Sequence, residues 1–152
     1  MKTEHLLIMR FTALGEVAML VPVVSSLAQQ YPELRITVLS NPFARSLFDG
    51  IAHNVGFMAA DLNGEYHGVK GLNALYRRLV AKNFTAIADM QSILRSSYLR
   101  MRFNISSYRV EHLDNHRQER RKLVAAKDKC LKQLPSLFDD YRDVLARLGY
   151  NV

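Results

Sequence analysis

Short apolar runs alternate along this chain with longer segments in which apolar residues recur every three or four positions. Leu6-Leu7-Ile8-Met9 is a continuous apolar run closed by a polar turn, Arg10-Phe11-Thr12-Ala13-Leu14-Gly15-Glu16. A short run of this kind bounded by a turn predicts a buried strand, here over 5–11. The apolar pattern resumes at Val17 and predicts a helix from Val17 to Gln30, which Pro22 either kinks or restarts because proline lacks a backbone donor. Tyr31-Pro32-Glu33 ends it, and Leu34 to Leu39, alternating and β-branched, predicts a strand over 35–40. Asn41-Pro42 is a turn and Ala44 to Phe48 a short helix; Val55 to Ala60 is the third strand. Asp61 to Gly71, with Gly64, Gly68 and Gly71, is expected to be a polar loop. Leu72, Leu75, Leu79 and Val80 then recur at helical spacing, with Arg77, Arg78 and Lys82 mostly on other faces. Phe84 to Asp89 is a fourth strand ending on a carboxylate, Gln91 to Phe103 a helix, and Tyr108-Arg109-Val110 a short strand candidate.

The composition shifts at Glu111. His112 to Lys132 is dense in charge, with Leu123, Lys127, Cys130, Leu131 and Leu134 on one helical face and Pro135 as its expected stop. Asp139 to Leu148 predicts a final helix with Tyr141, Val144, Leu145 and Leu148 at helical spacing and Gly149 as its C-terminal stop. The alternation of strands and helices predicts an α/β fold: one Rossmann-like three-layer domain, 1–152, with a parallel sheet and right-handed crossovers. In such a sheet ligands bind beyond the carboxyl ends of the strands, where the first turn gathers Thr12, Gly15 and Glu16.

Composition narrows the classes. A chain of 152 residues with 49% hydrophobic residues can bury a sizeable core, about 70% of its unfolded surface. The single cysteine, Cys130, excludes an intrachain disulfide and fits a reducing compartment. No secretory signal is evident, and the apolar run Val17–Val24 is far short of the ~20 residues a membrane helix needs, so a cytoplasmic location is expected. A net charge of +7 favours anionic partners, among them phosphorylated sugars, anionic headgroups and nucleic acid. Nucleic acid is not expected, since no recognised motif is present and the aromatics do not interleave with the basic run.

The first turn lacks the three spaced glycines of a dinucleotide fingerprint and the Gly-Lys-Ser/Thr of a P-loop. His112 and His116 are spaced i, i+4, but no third ligand supports a metal, and a solvated helix is the expected reading. The basic block Arg117, Arg120, Arg121, Lys122, Lys127, Lys129 and Lys132 is an ordinary charged surface or a contact for anionic headgroups.

Arg10-Phe11-Thr12-Ala13-Leu14-Gly15-Glu16, with Pro22 behind it, resembles the opening of the heptosyltransferases of lipopolysaccharide core synthesis, glycosyltransferase family 9. Asp89-Met90-Gln91, followed by Arg95-Ser96, is similar to that family's Asp-Leu-Gln-x-x-x-Lys/Arg-Ser stretch, and Tyr141 to Gly149 is similar to the helix that closes its first domain. The resemblance covers nearly the whole chain and half of the family's protein, a GT-B enzyme with two Rossmann-like domains around a cleft. It implies an acceptor-side N-terminal domain of an inverting glycosyltransferase, with the donor-binding C-terminal domain absent from this chain and the chain alone inactive. The implied donor is an ADP-heptose-like nucleotide-sugar, with no bound cofactor and no metal. The implied acceptor is an anionic glycolipid of the lipopolysaccharide core, reached by peripheral contact with the inner membrane.

The resemblance makes Glu16 the catalytic base, at a position where the family carries Asp. The ordinary role of a carboxylate there is to favour a helix N-terminus, worth about 0.3–1 kcal/mol. Arg10 is expected to pair with Asp89 or to reach an anionic acceptor. Thr12 and Gly15 allow close backbone approach to a ligand, and Gln91, Arg95 and Ser96 are candidates for the acceptor side of the cleft, with Lys70 and Arg77 as weaker ones. The alternative is a standalone Rossmann-like module that binds a nucleotide or sugar phosphate without catalysis.

Overall fold

Among the residues that the computed structural model describes, 4–12, 14–91, 94–105, 109–113 and 133–152, five parallel strands form one sheet. They are β1 His5–Met9, β2 Arg35–Ser40, β3 Val55–Ala59, β4 Ala86–Asp89 and β5 Arg109–His112, in the spatial order β3-β2-β1-β4-β5. The helices are α1 Leu14–Ala18, α2 Leu20–Gln30, a 3₁₀ helix Pro42–Phe48, α3 Gly68–Val80, α4 Leu94–Ile105 and α5 Gln133–Arg147. The doubly wound α/β sheet expected from the alternation is the observed fold.

The strand periodicity sorts the two cores. Leu6 and Ile8 face α1, α2, the 3₁₀ helix and α5, whereas Leu7 and Met9 face α3 and α4. Successive strand residues point to opposite faces, so a strand covered on both sides is a near-continuous apolar run: all of β1 is buried, and only His5 at its start is polar. Strand order grows outward from β1 to β3 and then jumps across β1 to β4, which makes the β1/β4 boundary the topological switch point.

Pro22 restarts the first helix rather than kinking it. Its missing N–H would have bonded the Ala18 carbonyl, four residues back, and its ring crowds that carbonyl. α1 accordingly ends at Ala18 and α2 begins at Leu20, with Met19 between them. Pro135 lies within α5, near its start, and the charged segment that it was expected to close lies outside the described residues. His112 is the last residue of β5, so its expected place on a helix with His116 does not hold. His116, Cys130 and the basic block from Arg117 to Lys132 lie outside the described residues.

The loop expected over Asp61–Gly71 is shorter, because α3 already begins at Gly68. Gly71 lets that first turn lie on the backbone of Tyr66: a Cβ at 71 would stand 2.6 Å from the Tyr66 carbonyl oxygen and 2.7 Å from its Cα. Gly71→Ala is therefore expected to destabilise by about 1–3 kcal/mol through overpacking, against alanine's better helix propensity. The measurement is a melting midpoint lowered by about 3–10 °C; an unchanged midpoint would show that the turn moves aside freely.

His5 begins β1 as a buried polar residue. Its Nε2 bonds Thr37 Oγ1 at 2.7 Å, its Nδ1 meets the Lys82 carbonyl at 3.2 Å, and its ring packs on Phe84. Burial, reinforced by the Arg35 and Lys82 charges, holds its pKa below the ordinary histidine value of 6.5, although the bond to the Lys82 carbonyl pulls the other way. The neutral ring contributes stability above the ordinary pKa, and that contribution is lost as pH falls through the lowered folded value. Thermal unfolding at pH 7.5 and pH 5 should show a drop on acidification that shrinks in His5→Gln; an equal drop in both proteins would assign it to other groups.

Candidate functional site

The switch point is built by side chains that complete what the strand ladder leaves open. The ladder continues one step past each strand: Arg10 N–H bonds the Leu39 carbonyl at 3.1 Å and Met90 N–H bonds the Met9 carbonyl at 2.9 Å. At Phe11 the chain leaves the sheet, earlier than the strand predicted over 5–11. The reason is Gln91, whose Oε1 accepts from the backbone N–H groups of Phe11 at 2.8 Å and Thr12 at 3.0 Å. Gln91 Nε2 also donates to Thr12 Oγ1 at 3.2 Å. Asn41, just past β2, donates from Nδ2 to the Phe11 carbonyl at 2.7 Å. Side chains from both neighbouring strands thus fix the turn after β1.

Arg10 turns back into this turn and is nearly buried. Its Nε donates to the Thr12 carbonyl at 2.9 Å, its Nη1 to the Met90 carbonyl, and its Nη2 forms an ion pair with Glu16 Oε2. The expected pairing of Arg10 with Asp89 is replaced by this one. Asp89 is fully buried and pairs instead with Arg100 of α4 at 3.1 Å, while its other oxygen accepts from Gln91 N–H at 3.0 Å. The rigid fork of a guanidinium suits three acceptors held in different directions, which a lysine could not satisfy together.

Glu16 lies in the single turn of α1, with its side chain 34% exposed. One oxygen is held by Arg10, and among the described residues no hydrogen bond is made by the other. A carboxylate fixed through one oxygen and open at the other is suited to accept a proton from a bound hydroxyl. Its backbone carbonyl accepts from the hydroxyl of Tyr141, on α5, at 2.8 Å.

The remaining candidates are placed as follows. Thr12 and Gly15 are exposed at the mouth of the turn, and a Cβ added at Gly15 would meet nothing within 4 Å. Ser96 is fully buried on α4 and presents no open surface, and the Arg95 side chain lies outside the described residues. Lys70 and Arg77 are exposed on α3. Asn41 and Tyr141 were not among the residues singled out from the sequence as site candidates. Asn41 follows a strand directly and could have been read as a strand-end donor; Tyr141 carries no local signal, because its spacing reads equally well as core. Among the described residues, no group of three or more metal-ligating side chains comes together, and no helix is long and apolar enough to cross a membrane.

No family model and no curated protein matches the sequence. Solved structures do match in shape. The glycosyl transferase family 9 protein from Veillonella parvula DSM 2008 superposes with a TM-score of 0.68 at 19% identity, over 99% of this chain and 43% of that one. The E. coli heptosyltransferase WaaC, solved with ADP-2-deoxy-2-fluoro heptose, gives 0.60 at 16% identity, over 97% and 49%. A UGT transferase from Siraitia grosvenorii in complex with UDP gives 0.53 at 11% identity, over 72% and 27%. The chain spans less than half the length of each of these proteins, and it shares the α/β fold of that part of these glycosyltransferases.

Proposed function

We propose that this chain is the acceptor-binding domain of an inverting glycosyltransferase of the heptosyltransferase kind, with Glu16 as its catalytic base. The observation that carries the reading is the Glu16 carboxylate, held at one oxygen by a buried arginine at the switch point of the sheet. In the proposed step Glu16 takes the proton of an acceptor hydroxyl. The resulting oxygen attacks the anomeric carbon of a nucleotide-sugar from the face opposite its diphosphate, and the bond to the diphosphate breaks with its electron pair. Arg10 keeps the carboxylate aimed throughout. Thr12 and Gly15 form the open wall beside which the acceptor lies. Gln91 fixes the Thr12 wall through its backbone and hydroxyl.

The donor is an ADP-heptose-like nucleotide-sugar, bound by a second half across the cleft. The acceptor is an anionic glycan of the lipopolysaccharide core type, presented at the cytoplasmic face of the inner membrane. A net charge of +7 supports an anionic acceptor. Catalysis needs both reactants in one geometry, so residues 1–152 alone should transfer no sugar.

The test is a titration of the isotope-labelled chain, followed by NMR, with a heptose-containing core oligosaccharide and separately with ADP. Oligosaccharide-induced shifts at Thr12, Gly15 and Glu16, with none from ADP, would support an acceptor domain. Shifts from ADP at the same turn, with none from the oligosaccharide, would replace it with a standalone nucleotide-binding module. Sugar transfer by the chain alone would overturn the division into two halves.

A further inference from the structure

α1 is a single turn, and a helix that short has almost no cooperativity of its own. Its hydrogen-bond ladder into α2 is interrupted where Pro22 lacks a donor, although Met19 between them keeps helical backbone angles. Contacts from outside the helix therefore help to set its orientation. Two contacts do so. Val17 is sunk in the core with Leu6, Ile8 and Leu20. The Glu16 carbonyl accepts the hydroxyl of Tyr141, which lies in the same core and comes from 125 residues further along the chain.

Tyr141 is itself immobilised. It is fully buried on α5, whose Leu137, Val144 and Leu145 share the core with α2. The Arg10 guanidinium is equally fixed, by the Thr12 and Met90 carbonyls. The Glu16 side chain must reach that stationary cation, so a rotation of α1 about its own axis would carry the carboxylate away from it. We propose that Tyr141 is the positioning residue that sets the rotation of α1 and so aims the Glu16 carboxylate, making the last helix part of the site; as a role in catalysis this rests on the function proposed above. Burial, the largest influence on the Tyr141 hydroxyl, pushes its pKa well above the ordinary tyrosine value of 10.0, with smaller contributions from the Glu16 and Asp140 charges and an opposing one from Arg10. The hydroxyl therefore stays protonated and remains a donor throughout the pH range in which the protein would be assayed.

A buried tyrosine hydroxyl needs a partner in any fold, so the test must separate aiming from mere satisfaction. The readout is the Arg10 Nε–H resonance of the nitrogen-15-labelled chain, which senses the partner of the guanidinium and requires no turnover. Glu16→Gln defines its position when the carboxylate charge is gone. In Tyr141→Phe the resonance should move at least a third of the way to that position, and amide exchange across Glu16–Ala18 should accelerate about tenfold. A smaller movement, with amide exchange unchanged, would overturn the proposal and leave Tyr141 as a packing residue. If Tyr141→Phe does not fold, the unsubstituted chain still decides. A slowly exchanging Tyr141 hydroxyl proton with a cross-peak to the Val17 amide supports the proposal, and its absence overturns it. In a transfer assay with a donor-binding half present, Tyr141→Phe should lower kcat about tenfold with KM within twofold, in keeping with the sensitivity of rate to small displacements. Absence of transfer by the unsubstituted protein would count against the proposed function alone, since the resonance measurement stands without it.

Discussion

Glu16→Gln is expected to lower kcat by about 10²–10⁴-fold, the usual cost of losing a general base, when transfer is assayed with a donor-binding half present. Glutamine keeps the length of the side chain and can still accept the Arg10 Nη2 hydrogen bond through its amide oxygen, so the turn should persist. What disappears is the proton acceptor. The loss should fall on kcat with KM little changed, because proton transfer is completed only in the transition state. Glu16→Asp is the sharper variant, since it restores the residue found at this place in the family that the sequence resembles. The structure gives it a direction. Arg10 is held at Nε and Nη1 by two backbone carbonyls and cannot follow a carboxylate withdrawn by one methylene. Asp should therefore be worse than Glu, and a 1 Å displacement can cost on the order of 100-fold in rate. Asp equal to or better than Glu would mean that the carboxylate is not aimed by Arg10. Full activity of Glu16→Gln, with chemistry rate-limiting, would return Glu16 to the role of a helix-terminal charge.

The sheet was legible because strand burial writes itself into local pattern. β1 and β4 are apolar except for His5 at the start of one and Asp89 at the end of the other, because both faces are covered, and β2 alternates because its Arg35 and Thr37 sit where cover is thinner. The helix restart at Pro22 was open between two outcomes, and the donor missing opposite Ala18 decided it. The start of α3 was hidden because Gly68 and Gly71 read as loop residues, whereas Gly71 is small in order to lie on the Tyr66 backbone. In the site, the turn itself was visible as a cluster of residue types, but its wiring was not. Arg10 and Asp89 both end adjacent parallel strands and are opposite in charge, so pairing them was the natural expectation. Parallel neighbours at a strand end point their side chains by register, however. Asp89 pairs with Met9, not with Arg10, and looks toward Arg100 of α4. The side chain of Arg10, one residue past the end of β1, folds back along its own turn to Glu16. Tyr141 shows the same limit more severely: its bond to the Glu16 carbonyl joins residues that only the packing of α5 on α2 brings together.

Removing the cation itself should unsettle the fold as well as the chemistry. Arg10→Met keeps much of the buried aliphatic stem and deletes the guanidinium, which leaves the Thr12 and Met90 carbonyls without their donors and Glu16 without its partner. Each hydrogen bond to a charged group contributes about 1.5–3 kcal/mol, and a buried acceptor left unpaired costs about 1–3 kcal/mol. The Glu16 share must be discounted, because its side chain is 34% exposed and water can replace the arginine there. A net loss of about 2–4 kcal/mol is expected, which for a domain of this size lowers the melting midpoint by about 5–15 °C. Arg10→Lys should recover only part of it, since an ammonium on a flexible stem cannot reach three acceptors that a planar fork reaches at once. The double variant with Glu16→Gln separates the contributions: if the carbonyl bonds dominate, Glu16→Gln costs little alone and adds little on top of Arg10→Met. A midpoint for Arg10→Met within about 2 °C of the unsubstituted protein would mean that the turn is held by Gln91 and Asn41 without it, and that Arg10 is kept at this position for what it does to Glu16 rather than for the fold.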